Sequence, residues 1–80
     1  MSIDGVWYEH EGYAGNNPKS SFRNMLNHGL KQSDRIIVED CGVSDAYIKR
    51  IIKQRVSDGQ LISEICVHGR KEAIYKKSKG

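Results

Sequence analysis

Lys49, Arg50, Lys53 and Gln54 crowd one side of a segment whose apolar residues recur at helical spacing. On a helical wheel the apolar side runs through Ile48, Ile52, Arg55 and Val56. The opposite side shows Ala46, Tyr47, Arg50, Lys53, Gln54 and Ser57, with Lys49 on the flank. Such a face offers recognition of a polyanion. An α-helix fits the major groove of B-DNA, where Arg50 can pair bidentately with a guanine and Gln54 can read an adenine. Lys49 and Lys53 suit phosphates. Ser44 and Tyr47, near the helix start, can bond a phosphate or a thymine edge. Further on, His68-Gly69-Arg70-Lys71 is a polar turn, and an arginine at its tip suits a narrow minor groove. On an arbitrary helix Lys49, Arg50 and Lys53 would be a solvated face; here the sequence on both sides weighs against that. Asp45 speaks mildly against DNA and reads as a helix-capping charge.

Other chemistries find less support. Cys66-x-His68 puts two ligand types on one face of a strand, with Cys41, His10 and His28 as further candidates. No paired CxxC or HxxxH spacing accompanies them, so no metal site is expected. Cys41 falls on an apolar stripe and reads as a buried, inert thiol rather than a nucleophile. Glu9-His10-Glu11 reads as an exposed polar face. No glycine-rich phosphate loop is present. No catalytic residue and no cofactor are expected, and the chain does not read as an enzyme.

The elements that position the basic face come next. Asn17-Pro18 starts a helix, as N-cap and first helical residue, and Phe22, Met25, Leu26 and Leu30 give it a core face. His28-Gly29 reads as its end, so helix 1 is predicted over 18–29. Ser33 can cap a second helix over 34–41, with Ile37, Val38 and Cys41 as its stripe. Gly42 then follows as a left-handed residue past the helix end, Val43 as an apolar plug, and Ser44 as the N-cap of a third helix over 44–58. Leu61–Val67 is rich in β-branched residues, and Ala73-Ile74-Tyr75 can return beside it, giving a hairpin across 61–76.

The run Ile37-Val38-Glu39-Asp40-Cys41-Gly42-Val43-Ser44, with Val56-Ser57-Asp58-Gly59-Gln60-Leu61-Ile62 after it, resembles the helix-turn-helix of winged-helix DNA-binding domains. The likeness covers the last 45 or so residues well. It departs at Val38, where a small alanine is common, and at Arg55, where a core leucine is common. It implies an α+β fold: a three-helix winged helix-turn-helix with a C-terminal β-hairpin wing. It also implies sequence-specific double-stranded DNA binding, with helix 3 in the major groove and the wing on the backbone or minor groove, as in a small transcriptional regulator or a mobile-element accessory. The alternative is a winged helix used as a protein-interaction module, such as a small phage-type inhibitor docking on a host nucleoprotein.

Composition is compatible with one small domain. Eighty residues with 38% hydrophobic and 29% charged content can bury a modest core. No apolar run reaches membrane-span length and no signal peptide opens the chain, so a cytoplasmic protein with no membrane contact is expected. Two cysteines are too few for a disulfide framework. The net charge of +3 is unevenly placed. Residues 1–34 sum to −1 and residues 35–80 to +4, which favours a polyanionic partner for the second half. Residues 1–16 read as an arm, residues 17–76 as the winged-helix domain and residues 77–80 as a basic tail. Within the arm, Val6 to Tyr13 has the aromatic content of a strand. It can pair with the wing or form a homodimer contact through residues 6–13.

Overall fold

A computed structural model describes residues 2–12 and 17–77. Its elements in chain order are β1 (Ser2–Ile3), β2 (Val6–Trp7), β3 (Glu9–Glu11), α1 (Pro18–Gln32), β4 (Arg35–Val38), α2 (Asp45–Ser57), β5 (Glu64–Val67) and β6 (Tyr75–Lys76). β1 and β2 form a small antiparallel hairpin. The other four strands make one sheet in the order β3-β4-β5-β6. β3, β4 and β5 are parallel, and β6 returns antiparallel on β5.

Each parallel step needs a crossover, and α1 and α2 supply the two. Right-handed crossovers between neighbouring strands in a constant direction place both helices on one face. Phe22, Met25 and Leu26 from α1 and Ile48 and Ile52 from α2 accordingly meet Ile36, Val38, Ile65 and Val67 in a single core. Both helices begin where capping chemistry places them. Asn17 Oδ1 accepts from the Ser20 amide at 3.2 Å, and Ser44 Oγ accepts from the Tyr47 amide at 3.2 Å. Just past the end of α2, Gly59 has a φ of +94°, which lets the Gln60 amide fold back onto the Arg55 carbonyl at 2.9 Å.

The architecture overturns the expected three-helix winged helix-turn-helix. Residues 34–41 form β4 and a loop rather than a helix. Ile36, Ile37 and Val38 are all buried, at 0%, 6% and 1% exposure. A strand buried on both faces must be continuously apolar, and β-branched side chains fit it. Gly42 does have a positive φ of +84°, but it follows a strand, and its amide donates to Asp40 Oδ1 at 3.0 Å in a local turn. Ser33 ends α1 instead of starting a helix, and its Oγ accepts from the Arg35 amide at 3.0 Å. The C-terminal strands do form a hairpin, but β5 has β4 on its other side. The pair is therefore the interior and edge of a sheet and not a projecting wing.

Two further expectations are corrected. Gly29 lies inside α1, where a Cβ would sit 2.9 Å from Ile36 Cγ2, so it marks close helix-to-sheet approach rather than a helix end. The supposed arm is integral: β3 pairs with β4 of the same chain and Tyr8 is buried. Tyr13 of that segment and residues 78–80 of the basic tail lie outside the described residues.

Candidate functional site

The parallel strands β3, β4 and β5 all run toward one edge of the sheet, and both helices start from that edge. In open α/β sheets the carboxyl ends of the strands are where ligands are met, because loops and helix N-termini converge there. Two groups of side chains gather at this edge.

The first is basic and aromatic. Ser44, Ala46, Tyr47, Arg50 and Lys19 line a shallow hollow of about 320 Å³ between the starts of α1 and α2. Lys19 Nζ lies 5.4 Å from the Tyr47 ring centroid and Arg50 Cζ lies 5.5 Å from it, distances at which the ring holds both cations near its electrons. Tyr47 is fixed from beneath by an edge-to-face contact with Phe22 at 6.2 Å. Cys41 donates from Sγ to the Pro18 carbonyl at 3.5 Å, joining the β4–α2 loop to the start of α1. Arg70 reaches this region by pairing with Asp45 at 2.8 Å. Its guanidinium is engaged by the first turn of α2, and Asp45 is its partner as well as a helix-start charge.

The structure thus brings together Ser44, Tyr47 and Arg50, with Arg70 bound beside them. Lys49 and Lys53 are exposed on α2, and Lys71 is exposed on the β5–β6 connection. Lys49, Arg50, Lys53 and Lys71 form no ion pair among the described residues. Gln54 is separated from the hollow. It lines a groove with Arg23, Ile51 and Arg55 toward the C-terminal end of α2. Arg55 is no core residue; it donates to Asn27 Oδ1 on α1. Lys19 is not among the expected contacts, since it belongs to α1 and only the fold brings it beside α2.

The second group is His10, Glu39 and His68. His10 Nε2 lies 2.8 Å from Glu39 Oε1, and His68 Nδ1 lies 3.1 Å from Glu39 Oε2. Since a carboxylate only accepts, both ring nitrogens donate. The bonds from His68 and then His10 outweigh desolvation and hold the Glu39 carboxyl below its ordinary range. Glu39 stands 29 residues from each histidine, the length of one strand-helix unit, so the spacing shows its meaning only once the strands are paired.

Cys66 does not join the histidines. It sits next to Glu64, donating to Oε2 at 3.2 Å, while the Tyr8 hydroxyl donates to the same oxygen at 2.7 Å. Burial, with the bond to Glu64, pushes the Cys66 thiol up to about 11. It is therefore protonated at neutral pH and a poor nucleophile. The bond to Glu64 raises Tyr8 to about 12. Burial works to raise Glu64 itself, but the bonds from Tyr8 and Cys66 hold its carboxyl low.

No protein-family model, curated protein or solved structure matches this chain. Among the described residues no helix is long and apolar enough to cross a membrane.

Proposed function

We propose that this chain binds double-stranded DNA through the exposed face of α2. The observation that carries the reading is the arrangement around Tyr47: Lys19 and Arg50 flank its ring, and Lys49 and Lys53 continue the positive surface without an acidic partner among the described residues. Unpaired cations on a rigid helix are what a phosphate backbone neutralises with release of counterions. Arg50 is the residue placed to read a base edge, and Lys49, Lys53 and Lys19 hold phosphates. Arg70 supports α2 through Asp45, and Gln54 lies further along the helix, in a separate groove near its C-terminal end. A regulator or a mobile-element accessory is the class of role that this binding would serve.

Titration of random and selected duplex DNA at two salt concentrations tests this. Arg50→Ala should weaken binding to a selected site by about 1–3 kcal/mol and relax sequence preference. Lys53→Ala should weaken binding to all duplexes alike and lower the salt slope by about one. Both side chains are exposed, so an unchanged melting temperature is the control. Unaltered DNA binding in both folded variants would overturn the reading.

A protein partner is the second reading, and the β1–β2 hairpin favours it. Ile3, Val6 and Trp7 are 41%, 36% and 59% exposed within one short element. Clustered exposed apolar side chains mark interaction surfaces more than isolated ones do. Loss of partner or self-association in Trp7→Ala, with DNA binding absent, would put this reading first.

A further inference from the structure

We propose that His10, Glu39 and His68 form a binding site for one divalent transition-metal ion of the zinc class. The three side chains come from three adjacent parallel strands: His10 from β3, Glu39 from the residue after β4, and His68 from the residue after β5. Their candidate donor atoms all lie within 4.8 Å of one another. The sheet fixes the three backbones, so convergence does not depend on one flexible loop.

The geometry is close to what such an ion requires. A tetrahedral ion with donors at about 2.0–2.1 Å needs donor separations of about 3.3 Å. His10 Nε2 lies 2.8 Å from Glu39 Oε1 and His68 Nδ1 lies 3.1 Å from Glu39 Oε2, so each imidazole sits near that spacing from one of the two carboxylate oxygens. The His10–His68 edge must close by at most about 1.5 Å for that spacing, within reach of a small side-chain rotation. The rings are 5.4 Å apart and tilted by 55°, so they are not stacked face to face. On metal binding each histidine moves its proton to its other ring nitrogen and turns a lone pair to the ion. Glu39 exchanges two hydrogen bonds for a coordinate bond.

The donor chemistry selects the ion. Two imidazoles and one carboxylate suit zinc, cobalt, nickel or copper, whereas magnesium and calcium prefer all-oxygen sets. Three protein donors leave a position open to water or to a donor from a bound molecule. The side chains of His10 and Glu39 are 34% and 31% exposed and that of His68 is 59% exposed, so the ion has a path of entry. This proposal is independent of DNA binding, because none of the three residues lies on α2.

The full chain, stripped with a chelator, should bind one zinc ion per molecule by calorimetry, with a rise in melting temperature. Cobalt should bind competitively with zinc and give visible bands of a four- or five-coordinate ion. Magnesium should have no effect. His68→Asn and His10→Asn should each lower zinc affinity by about tenfold or more, while Cys66→Ser and His28→Asn leave it unchanged. Melting without metal checks that each variant is folded, and highly exposed His68 keeps the test open if His10→Asn is unstable. Absence of zinc binding, binding that survives His68→Asn, or binding lost in Cys66→Ser would overturn the proposal.

Discussion

Asp34 closes the sheet at the end opposite the histidines. Its carbonyl accepts from the amides of Ser63 and Glu64 at 2.8 and 3.3 Å, and its carboxylate accepts from the Ser63 hydroxyl. That hydroxyl is the main reason its carboxyl sits below the ordinary 3.8, with Arg35 and Lys77 assisting. A lowered folded value means that the native chain takes up this proton less readily than the unfolded chain. The stabilisation is present above about pH 4 and is lost as pH falls through the lower folded value. Asp34→Asn should therefore flatten part of the acid limb of stability, read from urea midpoints between about pH 5 and pH 2. The side chain is one-third exposed, so the effect stays under about 1 kcal/mol. An acid limb identical to the parent's would contradict the assignment. Single residues differ in how far the sequence reveals them. Lys49, Arg50 and Lys53 are legible because a helix repeats its face every few residues. His10, Glu39 and His68 are hidden because only strand pairing brings them together, and no short-range spacing encodes that.

α1 and α2 are the elements that the sequence discloses best. Asn17-Pro18 and Ser44 are local capping signals, and apolar residues recur at helical spacing from Phe22 to Leu26 in α1 and from Ile48 to Ile52 in α2. β4 is not disclosed. Ile36-Ile37-Val38 is too short for its period to separate helix from strand, and Gly42-Val43-Ser44 after it imitates a helix-turn-helix link. What decides is tertiary: β3 and β5 flank β4 and take up its backbone on both sides. The residue that registers this packing is Gly29. A Cβ there would meet Ile36 Cγ2 at 2.9 Å, Ile36 Cδ1 at 3.0 Å and Glu11 Cγ at 3.2 Å. Gly29→Val should push α1 off β3 and β4 and cost about 1–3 kcal/mol by overpacking. Chemical denaturation measures it, and unchanged stability would show that the helix is not held this closely.

At the scale of the whole molecule, stability depends on bringing distant segments together. β3 reaches the sheet from before α1, and buried Tyr8 bonds Glu64 across 56 residues. Deleting residues 1–12 should therefore abolish the cooperative melting transition seen by circular dichroism. A truncated chain that still melts cooperatively would restore the view of this segment as a detachable arm. The same strand has a second consequence. β3 is the rim of the sheet, and beyond it no described strand takes up the remaining amides and carbonyls. Rims of this kind invite stacking by other chains unless they are short or charged. β3 is three residues long and reads Glu-His-Glu. A run that reads in the sequence as an exposed polar stretch is, in this position, a guard against fibrillar growth: a copy adding through its own β3 would have to bring two carboxylates against these.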